Sequence, residues 1–348
     1  MFPGTANTGL AKNTSYKVVL PFYLYAGLSL LAATILLIFS TPAFLQHYFH
    51  PQTLAITHIM ALGWGTMMIL GASHQLVPVL IEGKLYSNTL AYLSFFCAAI
   101  GIPFLVTGFY QFDFGWPAQT GAILINTAIL FYLINIAVSM SKSKNENVHA
   151  VFVFTGTLWL LITTIVGLFL VYNFTHNILS RDSLSYLPLH AHIGIVGWFL
   201  LLVIGVGSRL IPLFLISKYD NKKILWWIYS LINFSLISFI VIFLFVKTTW
   251  LYLMPFIAIA ASLALFGYYC YHAYYGRIRK KVDYQVKISL LSVLMMALPL
   301  IILLIVILLL LFSVDNIHLI LIYGFCILFG WITAIIFGMT FKTLPFIV

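Results

Sequence analysis

The sequence predicts an all-α polytopic membrane protein of about ten transmembrane helices, in a single transmembrane domain over residues 1–348. Two observations carry this prediction. Of the 348 residues, 63% are hydrophobic and only 7% are charged, and the mean hydropathy is +1.10. A soluble domain carries about 25% charged residues, because its surface faces water. The apolar residues also fall into runs of about 20 residues, the length that a helix needs to cross a bilayer.

Ten such runs follow one another along the chain, separated by short loops. The predicted spans are 18–39, 54–80, 90–109, 122–140, 151–174, 189–216, 225–246, 251–274, 288–312 and 317–341. The span 251–274 is the least distinct, because it is rich in aromatic residues. No stretch between the runs is long or polar enough to form a separate soluble domain.

The charged residues predict the orientation of these spans. The formal charge of +10 comes from 17 lysines and arginines set against 7 acids. Fourteen of the 17 cations lie before the first span, in even-numbered loops, or after the last span. The positive-inside rule therefore places the N-terminus and the even-numbered loops in the cytoplasm, across a bacterial inner membrane. The cations are not gathered on one soluble face, which argues against nucleic-acid binding.

A Gly-Trp pair recurs three times along the chain. The three pairs are Gly63-Trp64, Gly197-Trp198 and Gly330-Trp331, and each tryptophan precedes a proline (Pro78, Pro212 or Pro345) by 14 residues. Four spans fit into each period, which predicts pseudo-repeats over 16–145, 149–280 and 287–348, the last incomplete. A four-helix period used three times implies twelve helices, of which this chain holds ten. For the Gly-Trp pairs themselves, close helix packing is the favoured interpretation.

Two histidines occupy the same position within this repeat. His58 and His192 each lie 20 residues before their proline. A metal-ligating side chain inside a span indicates function, since its burial there is costly, and neutral imidazole binds haem iron or copper well. His190 lies two residues from His192 and points in nearly the opposite direction on a helix. The repeat therefore favours His58 and His192 as metal or haem ligands, with His190 as a further candidate. The alternative is that they are structural histidines bonded to carbonyl groups.

A second polar group lies near the predicted cytoplasmic ends of the second, sixth and tenth spans. Gln75, Arg209 and Lys342 share one repeat position, and His74 lies next to it. One interpretation makes them a site for an anionic group, such as a haem propionate or a substrate, or part of a proton path. The other is that the cations snorkel to the membrane interface. The remaining histidines lie near span ends and are predicted to be solvated: His47, His50, His149, His176, His272 and His318.

Three four-helix arcs with histidines in the second and sixth spans resemble subunit I of the haem–copper oxidase superfamily. The chain is most similar to short proteins related to the cbb3-type oxidases and nitric-oxide reductases. At the level of architecture the resemblance covers the whole chain, but its motifs are confined to the second, sixth and tenth spans. It implies that His58 is a ligand of a low-spin haem b, and that His190 or His192 corresponds to a copper ligand.

The chain departs from that family in two places. The tenth span of the family supplies two histidines, whereas here the residue matching His58 is Phe325, and His318 lies close to the end of the span. The paired histidines that follow the sixth helix are also absent from residues 243–250. The sequence therefore argues against a complete oxygen-reducing centre.

The resulting hypothesis is a haem- or copper-binding membrane protein of oxidase-like fold. It would transfer electrons or handle a diatomic gas such as nitric oxide or oxygen. Its expected partners are the lipid bilayer and other respiratory membrane subunits or a c-type cytochrome. The competing hypothesis is a transporter, or an assembly subunit of a respiratory complex, that uses the same scaffold without a redox centre.

Overall fold

The computed structural model describes residues 14–81, 83–142, 147–246 and 248–344. Within these residues, ten helices are long and apolar enough to cross a membrane. They are α1 Tyr16–Phe39, α2 Pro51–Leu80, α3 Asn88–Gln111, α4 Trp116–Ser141, α5 Val148–His176, α6 Leu184–Leu215, α7 Lys222–Val246, α8 Thr249–Tyr275, α9 Tyr284–Leu311 and α10 Ile317–Thr343. The chain is an all-α integral membrane protein, and the ten predicted spans are confirmed.

Several helices begin a few residues before the predicted spans because polar residues cap them. The Ser87 side chain accepts a hydrogen bond from the Leu90 N–H at the start of α3. Asn147 and Asn221 cap α5 and α7 in the same way. These caps satisfy N–H groups that have no partner within the first turn. A search for apolar runs alone does not include such polar first turns.

Helices α2 and α6 form the interior of the bundle. In their most apolar windows, 78% and 67% of the residues are buried inside the protein, against 22–44% for the other eight helices. The mean hydropathy of α2 is also the lowest of the ten, at 1.5. A helix that is surrounded by protein can carry polar side chains that would be costly against lipid. The interior helices are therefore where the polar residues of the bundle can be placed.

Glycines let these interior helices approach their neighbours closely. A Cβ atom at Gly71 of α2 would lie 2.8 Å from the Cβ of Phe22 in α1. A Cβ atom at Gly197 of α6 would lie 2.7 Å from the Cβ of Trp159 in α5. Small residues at helix contacts are a common device for packing in lipid. The close-packing interpretation of the Gly-Trp pairs agrees with this geometry at Gly197 and at Gly63, where a Cβ atom would lie 2.7 Å from Ser29 Oγ. It does not agree at Gly330, where a Cβ atom would meet only Met295 Cε among the described residues, at 3.5 Å.

Each Gly-Trp pair lies in a π-helical segment that begins five residues before the tryptophan. The three segments are Ile59–Thr66, Ile193–Leu200 and Cys326–Ile332. The residues that immediately precede them are His58, His192 and Phe325. π-Helical turns are rare and frequently occur at functional sites. Both matched histidines thus lie where the helix changes its hydrogen-bond pattern.

Two of the three tryptophans link different Gly-Trp segments. Trp198 Nε1 donates a hydrogen bond to Thr66 Oγ1 of α2 at 3.1 Å, and Trp64 Nε1 donates one to Thr333 Oγ1 of α10 at 3.1 Å. Each acceptor lies two residues after the tryptophan of its own segment. In the second segment that position is Leu200, which has no hydroxyl group.

The third indole, of Trp331, is buried and its N–H has no partner among the described residues. The shared π-helices and the two Trp–Thr bonds are features that a threefold repeat would produce. The repeat and its boundaries remain predictions, and Pro345 lies outside the described residues. Pro78 and Pro212 lie inside the last turns of α2 and α6, near the ends of these helices.

We expect Thr66→Val to lower the thermal stability of the detergent-solubilised protein. The substitution removes the acceptor of the Trp198 indole, and leaving a buried donor without a partner costs about 1–3 kcal/mol. Thr127→Val is the matched control, because the Thr127 hydroxyl is exposed and bonds only the Ile123 carbonyl of its own helix. Equal unfolding temperatures for the two variants would contradict a structural role for the Trp198–Thr66 bond.

Candidate functional site

A cavity of about 730 Å³ lies between the helices. Residues of α2 to α10 form its wall, which is mostly apolar. The loop residues Tyr48, Phe49 and Asp315 also belong to the wall, so the cavity reaches the membrane side on which α2, α6 and α10 begin. We call this side the cavity side. Binding sites for cofactors and small molecules typically measure about 300–1,000 Å³ and are largely apolar, as this one is.

His58 borders this cavity from α2, two turns after the helix begins at Pro51. Its Nδ1 lies 2.8 Å from the Leu54 carbonyl oxygen. A carbonyl oxygen only accepts hydrogen bonds, so Nδ1 carries the proton and Nε2 keeps its lone pair. The ring of Phe109 packs against the imidazole, with centroids 4.6 Å apart. The side chain is therefore oriented by its own helix and has one nitrogen free for a ligand.

His192 repeats this arrangement on α6. Its Nδ1 lies 2.8 Å from the Pro188 carbonyl oxygen, four residues earlier, and its ring also borders the cavity. The rings of Phe239 and Tyr323 contact it, with centroids at 5.2 and 6.0 Å. The repeat position thus gives both matched histidines the same tether. It does not bring them against each other, because His192 faces α7 and α10.

His190 is the histidine that lies beside His58. Its Nδ1 is 3.1 Å from the Thr163 carbonyl oxygen of α5. Its ring centroid lies 6.3 Å from that of His58, and the two ring planes differ by 17°. A Cβ atom at Gly167 of α5 would lie only 2.9 Å from Cε1 of His190. The absence of a side chain at Gly167 makes room for the imidazole.

His190 and His192 point towards different helices, as predicted for residues two apart on a helix. Both nevertheless border the same cavity, because the cavity extends around α6 from α5 to α10. All three candidate ligands, His58, His190 and His192, therefore share one cavity, and each has its Nδ1 tied to a backbone carbonyl.

The donor set decides which metal species the cavity suits. Among the described residues, no group of three or more His, Cys, Asp or Glu side chains is placed to hold a metal ion. A bare zinc or copper ion usually requires at least three protein ligands. Haem iron needs only one or two, because the porphyrin supplies the others. A large apolar cavity bordered by tethered imidazoles therefore fits haem better than a copper ion.

The carboxylates of haem find no cation in this cavity. The described wall contains no lysine or arginine, and its charged member is Asp315. Arg209 and His74, the predicted partners of an anionic group, do not belong to the wall either. The residues present thus fit the iron and the apolar body of haem, while its propionates would have to face polar groups such as Tyr48 and Asn316 at the cavity side.

His74 lies elsewhere in α2, in a fully buried position between aromatic rings. The centroids of Phe22 and Tyr132 lie 5.2 and 5.4 Å from that of its imidazole. Both ring nitrogens lack a hydrogen-bond partner among the described residues. Its backbone carbonyl accepts a bond from the Thr14 hydroxyl at 2.7 Å. The structure thus separates His74 from the other three histidines.

The predicted ring of Gln75, Arg209 and Lys342 divides into different environments. Lys342 donates a hydrogen bond to the Asp283 carboxylate, which also accepts one from Arg279 at 3.2 Å. Arg209 is exposed, and Gln75 is half-buried. For Lys342, a structural ion pair at the membrane boundary accounts for the side chain.

One histidine that was predicted to be solvated is buried. His149, at the start of α5, is only 6% exposed, and its Nδ1 lies 2.9 Å from Ser208 Oγ of α6. That prediction was wrong because position near a helix end does not reveal a neighbouring helix. Ser208 itself donates to the Gly205 carbonyl of its own helix. No pattern around His149 in the sequence distinguishes it from an exposed histidine.

We expect the Lys342–Asp283 ion pair to stabilise the protein only above acidic pH. Hydrogen bonding to Lys342 lowers the pKa of the Asp283 carboxyl below its ordinary value. A lowered native pKa contributes stability above the ordinary pKa, and this contribution disappears as the pH falls through the native pKa. The melting temperature of Lys342→Met should therefore be below that of the wild type at pH 7, and the two should converge as the pH falls below about 4.

Lys17→Met is the control for this experiment, because Lys17 is exposed and no acidic partner contacts it among the described residues. Its difference from the wild type should change little over the same pH range. A Lys342→Met difference that stays constant from pH 7 to pH 3 would contradict the assigned ion pair.

Neither of two comparisons with known proteins finds a relative of this chain. No protein-family model matches the chain, and no curated protein matches it. The resemblance to the haem–copper oxidases therefore remains an expectation drawn from the spans and the histidine positions. The candidate site depends on the cavity, the three tethered imidazoles and the closely packed glycine beside one of them.

Proposed function

We propose that the chain is a haem-binding integral membrane protein of oxidase-like fold. Its function would be electron transfer or the handling of a diatomic gas in a respiratory membrane. The observation that carries the proposal is the set of three histidines bordering one apolar cavity, each with Nδ1 bound to a carbonyl and Nε2 left without a proton. A histidine in this state is ready to bind a metal.

The carbonyl groups bound to Nδ1 correspond to the outer-shell hydrogen-bond partners of ligating histidines in metal sites. They fix the tautomer and the orientation of each ring before a ligand arrives. The mostly apolar wall lowers the local dielectric beside them, which would tune the redox potential of a bound haem. When bound there, haem supplies an iron centre that changes its charge by one electron. Copper is the alternative metal, and it would require a ligand besides these side chains.

The distribution of charge supports an orientation for this site. On the cavity side, Arg181 is the cation among the described residues. The opposite side carries many more, of which Lys17, Lys84 and Lys142 are the first along the described chain. By the positive-inside rule, we propose that the N-terminal side faces the cytoplasm of a bacterial inner membrane. The cavity then reaches the outer surface, where a c-type cytochrome or another respiratory subunit can approach Asp315.

The first test is an optical spectrum of the purified protein, produced in cells that are supplied with a haem precursor. We expect a Soret band that sharpens and shifts on reduction with dithionite. Simultaneous replacement of His58, His190 and His192 by alanine should abolish it. His318→Ala is the matched control, because His318 is exposed on the same side and does not border the cavity. A wild-type protein with no Soret band would reject the proposal and favour the transporter or assembly hypothesis.

The orientation is tested with single cysteines in a background that lacks Cys97, Cys270 and Cys326. In intact cells, a membrane-impermeant maleimide should label Asp182→Cys, in the loop before α6. It should label Lys281→Cys, between α8 and α9, only after the cells are opened. Labelling of Lys281→Cys but not of Asp182→Cys in intact cells would invert the proposed topology.

A further inference from the structure

We infer that His58 of α2 and His190 of α6 hold one haem iron between them, and that His192 is not a ligand of this iron. The inference rests on the proposed function. It differs from the pairing of His58 with His192 that the repeat predicts. It also differs from the resemblance, which assigns the sixth-span histidine to copper.

The first support is the separation of the two rings. If two imidazoles held one metal between them through nitrogen, at about 2.0 Å each as in zinc–imidazole sites, their ring centroids would lie roughly 6 Å apart. The centroids of His58 and His190 are 6.3 Å apart, and their planes differ by only 17°. No movement of either helix is needed to bring the two rings to this separation.

The second support is that the orientation of each ring is fixed by residues other than the two histidines. Leu54 of α2 fixes His58, and Thr163 of α5 fixes His190, each through a carbonyl oxygen that binds Nδ1. The ring of Phe109 packs on His58, and the space above Gly167 receives Cε1 of His190. Three different helices therefore fix the two imidazoles before any ligand is present. Preorganisation of this kind is a requirement for a precise metal site.

His192 has different neighbours. Its ring lies between Phe239 of α7 and Tyr323 of α10, on the other side of α6. No ring contact joins it to His58 among the described residues. Equivalence in the repeat thus reproduces the local tether of His58 but not its partner. His192 remains a cavity-facing histidine with a free nitrogen, available to a second ligand or to a hydrogen bond.

Two histidine ligands determine what the iron can do. If His58 and His190 both held a haem iron, the iron would have no open position for a diatomic gas. One electron can still enter from a reduced one-electron carrier and leave to an oxidised one, with no bond formed or broken. Of the two activities in the proposed function, the geometry points to electron transfer rather than to gas binding. The carrier would be a small redox protein on the cavity side.

Carbon monoxide is the probe that tests this inference. The reduced wild-type protein should show a low-spin spectrum that carbon monoxide does not change. His58→Gly and His190→Gly should each give an iron that binds carbon monoxide, with a shifted Soret band. Added imidazole should restore the low-spin spectrum in both variants, which shows that they are folded. Gly167→Ala should weaken the His190 bond and allow partial carbon monoxide binding.

His192→Ala is the discriminating variant, because it removes the third tethered histidine of the same cavity. Its reduced iron should remain closed to carbon monoxide, since His58 and His190 are both still present. His318→Ala, which is exposed and does not border the cavity, is the control and should match the wild type. If His192→Ala opens the iron and His190→Gly does not, the pairing is overturned while the proposed function stands. Immediate carbon monoxide binding by the wild type overturns the pairing in the same way. A wild-type protein without haem overturns the proposed function itself.

Discussion

The structure depends on one constraint: inside a bilayer, an unpaired polar group is costly, so most polar groups find a partner within the protein, with the His74 imidazole and the Trp331 indole as exceptions among the described residues. Unsatisfied backbone groups are too costly in hydrocarbon, so the chain crosses the membrane as helices. The same constraint acts on side chains. The imidazoles of the cavity bind carbonyl oxygens with Nδ1, and the indoles of Trp64 and Trp198 bind threonine hydroxyls on other helices. Each bond also fixes the direction in which its side chain points.

Placement of polar side chains follows from which helices are buried. α2 and α6 are the two most buried helices, and they carry the three candidate ligands as well as His74. Glycines in both helices permit close contact with α1 and α5, and Gly167 of α5 accommodates His190. The same close contacts between helices therefore stabilise the bundle and position the candidate ligands. A substitution that separates α5 from α6 would move a candidate ligand as well as weaken the bundle.

The sequence was sufficient for the ten spans, because length and apolar composition decide whether a segment can cross a membrane. It was also sufficient to match His58 with His192, but it did not reveal the π-helical segments that follow the two histidines. It could not pair His58 with His190, since a repeat encodes position along a helix and not the helix that lies opposite. The burial of His149 and the Trp198–Thr66 bond escaped prediction for the same reason. Both depend on contacts between helices that are distant in sequence.

The central claim is that haem occupies the cavity between α2 and α6. It is tested most directly by an electron cryo-microscopy map of the protein, produced with a haem precursor and embedded in a lipid nanodisc. The account predicts a flat macrocycle in the cavity, with continuous density from its centre to His58 and to His190. A cavity filled by lipid or by water, with separate imidazoles and no macrocycle, would contradict it.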